Sequence, residues 1–327
     1  MIKLTNLFKL LFFVLIIASC SLDASFTKKC SISIKSPKQE LSEIKKIYIE
    51  CDSSSYQSIY KNFKKNENIP VKISYDDAVW CDVKMRIRGD SSRELPKKSL
   101  KLTFSKESPF FNGKTKINLN AEWYDKTYMS QYLSSYLMNI NKVPCFNSEH
   151  VFIYLNGKPY GIFLMVENID SEFLVANNFS ETGNLYKATK DGACFNDTSE
   201  VSYLWEKKTN KKDSSRVDLK NIILNLNSVS IKEAYDLYHQ TFYYDRLISQ
   251  VALNILLGNK STYYHNYYMF HDTNANRWDM LPWDMDKTLH RDLLNLHYTR
   301  STWSEGINSN LPDNPIPELI FTNKKMK

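Results

Sequence analysis

The stretch from residue 245 to residue 289 constrains the fold more than any other part of this 327-residue chain. It begins with a predicted amphipathic helix, because apolar residues recur at the spacing of one helical face. These residues are Leu247, Ile248, Val251, Ala252, Ile255 and Leu256. Gly258 follows where a left-handed residue would end the helix. Residues 267–270 and 280–281 then predict the two strands of a hairpin.

The predicted hairpin brings three polar residues to one edge. Asn266 precedes the first strand, whereas Asp284 and Asp286 follow the second strand. In an antiparallel pair the start of one strand lies beside the end of the other, so these side chains should converge. An amide oxygen and two carboxylates are ligands that hard cations prefer. The sequence therefore predicts a divalent metal site at this edge.

A basic connection joins two further predicted strands, 82–88 and 99–104. It runs from Arg88 to Lys98 and contains a glycine, serine hydroxyls and lysines. Backbone N–H groups and ammonium charges in such a connection can surround phosphate oxygens. The other interpretation is a solvated basic turn, and the residues alone favour it.

The rest of the chain mixes predicted strands and helices, which indicates the α+β class. The further strands are 46–51, 71–75, 114–119, 149–155 and 158–166. The further helices are 56–67, 126–141, 217–227, 231–239 and one that begins at residue 315. Pro159 follows the Asn156-Gly157 turn and predicts an edge position for its strand. The polar stretch 188–216 predicts a mobile loop.

Composition limits the classes of function. The chain is 43% hydrophobic and 13% aromatic, so it can bury a sizeable core in one large domain or two joined lobes. The formal charge of +7 is mild and spread out. No dense basic tract with interleaved aromatic residues occurs, which argues against a nucleic-acid partner. An acidic small ligand such as a nucleotide is compatible with this charge.

The N-terminus predicts export. Lys3 and Lys9 precede the apolar run 10–17, which has the length of a signal-peptide core. The residues Ile17-Ala18-Ser19-Cys20 then resemble a bacterial lipobox. We therefore expect a lipoprotein signal peptide over 1–19, and an anchor and tether over 20–45 that holds the protein to a membrane through lipidated Cys20. The alternative is an ordinary cleaved secretory signal, and in both cases the protein reaches the periplasm or the cell surface.

Five cysteines follow Cys20, and their odd number predicts at least one free thiol or a bond between chains. They are Cys30, Cys51, Cys81, Cys145 and Cys194.

Four motifs, in the order of the family, resemble the CotH kinase family of secreted atypical kinases. The family pattern GNxDSxxHNYYLY corresponds to residues 258–270, and its PWDxD pattern to residues 282–286. The pattern RGNSSRxxPKKSxKxxF corresponds to the connection that begins at Arg88, and a hairpin pattern with a closing acid ends at Glu167. The matching domain is expected to span 46–327. Family members usually continue with further helices, so a shortened C-terminus is also expected.

The resemblance implies an atypical protein-kinase-like bilobal fold, with a mainly antiparallel N-terminal sheet and a helix-rich C-terminal part. It implies ATP with Mg²⁺ or Mn²⁺ as cofactors, and Ser/Thr phosphorylation of Ser-rich secreted or surface proteins. Arg88 with Lys98 or Lys101 becomes the candidate phosphate clamp. Glu167 would orient that lysine, or it would cap the helix that starts near Asp170.

One departure from the family lies at Ser261, where the family has an acidic residue. The kinase spacing assigns metal binding to Asn266 and Asp284 and proton acceptance to position 261. A serine hydroxyl carries no negative charge at neutral pH, so it cannot take the proton as a carboxylate would. Asp286 would substitute for it, or would cap a helix over 287–293. The chain is accordingly either a weakened kinase or an inactive surface lipoprotein that retains the scaffold.

Overall fold

In the computed structural model the described residues are 44–259, 261–289 and 314–326. The domain discussed below begins at Ile44. The predicted signal peptide, Cys20 and most of the tether lie outside the described residues, as does Cys30. The other four cysteines, Cys51, Cys81, Cys145 and Cys194, are unpaired. Within the described ranges, no helix is long and apolar enough to cross a membrane.

The first part of the domain is a closed barrel of seven strands. The strands are β1 Lys45–Glu50, β2 Ile69–Tyr75, β3 Ala78–Ile87, β4 Leu100–Phe104, β5 Lys116–Asn120, β6 Ser148–Leu155 and β7 Lys158–Glu167. Their order around the barrel is β1-β2-β3-β4-β5-β7-β6, and neighbours are antiparallel except β1 and β6. The expected antiparallel sheet is therefore closed by one parallel pairing, which leaves no free edge.

The barrel interior is filled by alternate residues of each strand. On β4, Leu100, Leu102 and Phe104 are buried in the interior cluster, whereas Lys101 between them lies on the outer face. The same alternation on β7 places Phe163 and Met165 with the interior cluster, and Leu164 in a separate cluster outside the barrel. The face on which a strand residue lies thus follows from its position in the alternation.

The second part is a four-stranded antiparallel sheet with helices around it. Its strands are β8 Asn184–Ala188, β9 Trp205–Lys207, β10 Tyr267–Asp272 and β11 Arg277–Pro282, in the order β11-β10-β8-β9. The α-helices among the described residues of the domain are α1 Ser53–Lys61, α2 Ser130–Ile140, α3 Ser171–Ala176, α4 Val201–Leu204, α5 Val217–Ser228, α6 Ala234–Thr241, α7 Tyr244–Leu256 and α8 Pro315–Thr322. The predicted α+β class is confirmed.

Strand β10 is buried on both faces, which fixes the sheet between two layers. Tyr267 and Met269 join the cluster formed with helices α5 to α8. Tyr268 and Phe270 join the cluster that contains Leu164 from the outer face of the barrel. The outer surface of the barrel and the second sheet are therefore packed together around these side chains.

Three local predictions need correction. The helix predicted from residue 126 begins at Ser130, because Tyr128 has a left-handed φ of 60° that a helix cannot include. The predicted loop 188–216 contains α4 and β9, which are held by buried apolar residues such as Trp205, 1% exposed.

Strand β7 has partners on both sides and is no edge strand. Pro159 is tolerated because the pairing with β5 is confined to residues 164–167.

Candidate functional site

Cationic side chains from the barrel and the second sheet converge on the indole of Trp283. The Arg88 guanidinium carbon, just after β3, lies 5.9 Å from the centre of a Trp283 ring. The Lys187 ammonium, on β8, lies 5.6 Å from Trp283 and 5.8 Å from the Tyr268 ring. Lys101 on the outer face of β4 donates to Asn168 Oδ1 at 3.2 Å. Arg88, Lys101 and Lys187 are partly exposed, and we call the surface that they form beside Trp283 the Trp283 cleft.

The positive charges of the Trp283 cleft are not fully compensated. Burial, followed by repulsion from Arg88 and other cations, lowers the pKa of Lys101 to about 7. Burial and Arg88 likewise lower the pKa of Lys187 to about 8, although Asp284 opposes this effect. The pKa of Arg88 is also lowered by burial. A multiply charged anion in the cleft would relieve this repulsion, because opposite charges stabilise the ionised form.

Acidic and amide groups lie at one side of the same cleft. In the β10–β11 hairpin Tyr267 pairs with Pro282, so Asn266 and Asp284 leave the hairpin at the same end, as the sequence predicts. Both have left-handed backbones, with φ of 60° and 57°. Asn and Asp adopt this conformation more readily than other side chains.

Ser261 is buried in the structure and hydrogen-bonded to Asn266. It is 1% exposed, and its Oγ accepts a hydrogen bond from Asn266 Nδ2 at 2.9 Å. Its backbone N–H donates to Asn259 Oδ1 at 3.1 Å. Because the amide nitrogen of Asn266 is engaged by Ser261, its amide oxygen is the atom able to bind a cation.

Glu122 is an acidic residue of this region that the sequence did not single out. Burial, with repulsion from Asp286 and Asp284, raises its pKa to about 8. Gln131 donates to Oε1 at 3.1 Å, whereas the buried Oε2 has no hydrogen-bond partner. The backbone φ of Glu122 is 45°, an uncommon value for a non-glycine residue. In the sequence, Glu122 is marked only as an acidic residue just after a predicted strand. Acidic residues are so common in this position that the pattern does not identify a site.

Asp286 completes the acidic group. Burial and repulsion from Asp284 raise its pKa to about 7. The predicted helix over 287–293 does not begin where expected, because Lys287 is in a turn, Thr288 is irregular and Leu289 is in a bend. Residues 290–293 lie outside the described part. Asp286 therefore does not cap a helix that starts at Lys287.

Glu167 and Lys98 lie elsewhere. Glu167 faces the barrel interior, where Oε1 pairs with Lys114 Nζ at 2.6 Å and Oε2 accepts from Asn147. It contacts neither candidate lysine, and Asp170 caps helix α3 instead. The Lys98 ammonium donates to the carbonyl of Arg93 and lies 4.3 Å from the centre of the Phe63 ring. Of the two predicted lysines, Lys101 is the one on the cleft side of the barrel.

The Asp284 carboxylate and the Asn266 amide oxygen are suited to one small divalent cation whose remaining ligands come from a bound substrate and water. Mg²⁺ is usually held by one or two carboxylates together with substrate phosphates, rather than by a cage made of protein alone. Asp284 and the Asn266 amide oxygen supply such a partial set. Residues 44–259, 261–289 and 314–326 contain no group of three or more His, Cys, Asp or Glu side chains placed to hold a metal.

The sequence model of the CotH kinase protein family matches residues 85–327. The chain belongs to the CotH kinase family. The matched region starts near the end of β3 and includes the Trp283 cleft, whereas β1 and β2 lie before it.

Among curated proteins, the inner spore coat protein H of Bacillus subtilis (strain 168) is 26% identical over 220 residues. The alignment covers 65% of this chain and 60% of that protein, so the chain spans about 60% of the length of this relative. Among solved structures, the proinflammatory kinase CtkA of Helicobacter pylori has a TM-score of 0.35 and 11% identity. That comparison covers 69% of this chain and 78% of CtkA.

Proposed function

We propose that this chain is an exported, ATP-dependent protein kinase of the CotH type, which phosphorylates Ser or Thr on Ser-rich secreted or surface proteins. The observation that carries the proposal is the pairing of three crowded cations with an acidic edge around Trp283. A nucleoside triphosphate bound with a divalent cation has the matching charges. In this proposal the barrel and the second sheet act as the two lobes of a kinase-like fold, with the nucleotide between them.

Each residue of the cleft then has a defined role. Arg88, Lys101 and Lys187 bind phosphate oxygens and offset the charge that develops during transfer. Asp284 and Asn266 hold Mg²⁺ or Mn²⁺, which supplies further charge neutralisation when it is bound. Ser261 orients Asn266. Asp286 accepts the proton of the acceptor hydroxyl in place of the missing family acid.

The proposal is tested by incubating the purified protein with γ-labelled ATP, each metal in turn and a Ser-rich acceptor protein. Metal-dependent labelling of serine or threonine is the expected result. The second candidate function is a nucleotide-binding surface protein without transfer, and the neutral Ser261 at the acidic position of the family favours it. Saturable nucleotide binding without labelling, under both metals, would support this second function.

Nucleotide affinity should depend on pH through Lys101. The amine is protonated below its pKa of about 7 in the free protein, and it loses its charge as the pH rises above that value. A bound polyanion favours the charged form, so the affinity should fall as the pH rises, by at most about tenfold per pH unit for one proton. Binding should be measured for wild type and Lys101→Met in parallel, because the titration of ATP itself affects both. The same slope in both proteins would exclude this role of Lys101.

Export is tested by mass spectrometry of protein extracted from membranes. Acyl chains on Cys20 and the loss of residues 1–19 are expected, because the apolar run and the Ile17–Cys20 box match a lipoprotein signal. A Cys20→Ser variant is the matched control and should remain unacylated. Mature protein with an unmodified Cys20 thiol would contradict the anchor.

A further inference from the structure

A cavity of about 420 Å³ opens at one end of the barrel. It lies where β2 and β7 end and where β1, β5 and β6 begin, and we call it the barrel mouth. The barrel mouth is separate from the Trp283 cleft. Glu167 lines this cavity on the inner face of β7, whereas the next residue, Asn168, contacts Lys101 on the cleft side.

Two opposite-charge pairs line the barrel mouth. Lys45 Nζ lies 3.4 Å from Glu149 Oε1, and Lys114 Nζ lies 2.6 Å from Glu167 Oε1. The side chains of the first pair are about half exposed, at 45% and 42%, whereas Glu167 is 5% exposed. The lining therefore has no excess of either charge, and a polyanion such as a nucleotide gains little there. Lys45 also lies 3.7 Å from Asp76 Oδ2, and Glu149 also accepts a hydrogen bond from the Tyr75 hydroxyl. A ligand that carries both charges can join this half-exposed network at Lys45 and Glu149.

Apart from Asn112, Asn147 and Ser148, the rest of the lining is aromatic and apolar. Phe110, Ile117 and Met165 line the cavity, and Phe111 lies at its surface with 43% of its area exposed. The Phe111 ring is 5.7 Å from the Tyr75 ring, and the two are tilted by 59°. Exposed aromatic surface beside buried apolar residues favours insertion of an apolar side chain, because its burial removes both surfaces from water.

We propose that the barrel mouth binds a short peptide segment in which an apolar side chain stands between a basic and an acidic residue. Peptides combine these three features with main-chain amides, which the side-chain amide of Asn112 can bond. The cavity volume lies within the range of about 300 to 1,000 Å³ that is typical of small-ligand sites, and barrel mouths are a common place for such sites. The proposal goes beyond the kinase function and does not depend on it.

The test is an NMR titration of the full chain with the peptide N-acetyl-Lys-Phe-Glu-amide, followed through the methyl resonance of Met165. A saturable shift is expected. The peptide N-acetyl-Lys-Gly-Glu-amide should bind about tenfold more weakly or worse, because it has no apolar side chain to bury. No saturable shift, or equal affinity for both peptides, would overturn the proposal.

A pair of variants tests the location. Phe111→Ala should weaken binding of the Phe peptide about tenfold, because it removes exposed aromatic surface from the barrel mouth. Phe111 is partly exposed in a short turn, so the fold should survive, and the thermal transition checks this. The matched control is Tyr203→Ala, which removes a 66% exposed aromatic residue on α4 and should leave the affinity unchanged. Equal affinity of wild type and Phe111→Ala, or an equal loss in Tyr203→Ala, would contradict the site.

Discussion

Replacing Ser261 by aspartate should raise phosphoryl transfer by up to the range of about 100- to 10,000-fold that general-base catalysis supplies, with a smaller gain to the extent that Asp286 already accepts the proton. The wild-type Oγ accepts a hydrogen bond from Asn266, so a carboxylate at this position would lie beside the proposed metal ligand. It would also supply the acidic group that the resemblance to the family implies at this position. Initial rates with γ-labelled ATP and a Ser-rich acceptor measure the change.

Ser261→Asn is the matched control, because asparagine has nearly the size of aspartate but cannot accept the proton. It should leave the rate near the wild-type value. An equal increase in both variants would show that size rather than base strength matters. If Ser261→Asp binds nucleotide without faster transfer, the loss of activity extends beyond this position and the non-catalytic function gains support. If wild type is already fast and Ser261→Asp slows it, Asp286→Asn tests the remaining proton acceptor.

The structure changes the expected stability of this variant. The sequence places Ser261 in a polar turn, where a substitution should cost little. The side chain is in fact 1% exposed, so the larger aspartate must displace its neighbours. We expect a loss of about 1–3 kcal/mol in the free energy of unfolding, as for other overpacked buried sites. Thermal unfolding of Ser261→Asp and Ser261→Asn separates this cost from the effect on rate.

Asp284→Asn should strongly weaken metal-dependent nucleotide binding, because it removes the ligand charge while leaving only an amide oxygen, and it should lower transfer about 100-fold or more, because a metal ion supplies several kcal/mol of charge stabilisation in the transition state. Asparagine is a better substitution than alanine, because residue 284 has a left-handed φ of 57° that asparagine tolerates. The fold should therefore remain intact. Nucleotide affinity with and without Mn²⁺ is the measurement.

Asp286→Asn serves as the comparison for this variant. It removes a neighbouring carboxylate of the same acidic group, and it should lower transfer while metal-dependent binding persists. If Asp284→Asn keeps its metal-dependent affinity, the metal lies elsewhere. If both variants lose binding equally, Asp286 is a second metal ligand rather than the proton acceptor.

The sequence predicts the local part of the candidate site well. Helix α7, the left-handed Gly258 and the β10–β11 hairpin all occur where the pattern places them. The hairpin brings Asn266 and Asp284 to one edge because both residues flank strands that pair with each other. Sequence spacing is sufficient in this case, since the pairing strands are neighbours in the chain.

Contacts between distant segments could not be predicted in the same way. Lys187 enters the Trp283 cleft because β8 pairs with β10, with Lys187 opposite Tyr268, and the two strands are far apart in the chain. Glu122 meets the acidic edge only through tertiary packing. The position of Glu167 could not be predicted for a different reason. The alternation of side chains along β7 points Glu167 into the barrel, and a shift of one residue would place it on the outer face. The sequence alternation assigns a residue to the interior or the exterior only once it is known that the strands close into a barrel.

We propose that the Trp283 cleft binds a nucleoside triphosphate together with a divalent cation. This binding can be measured by calorimetric titration of the purified protein with ATP, in the presence and absence of Mn²⁺. We expect saturable binding of one nucleotide per chain that requires the metal and weakens when Lys187 is replaced by methionine. Binding that is absent with the metal, or equally strong without it and unaffected by Lys187→Met, would contradict it.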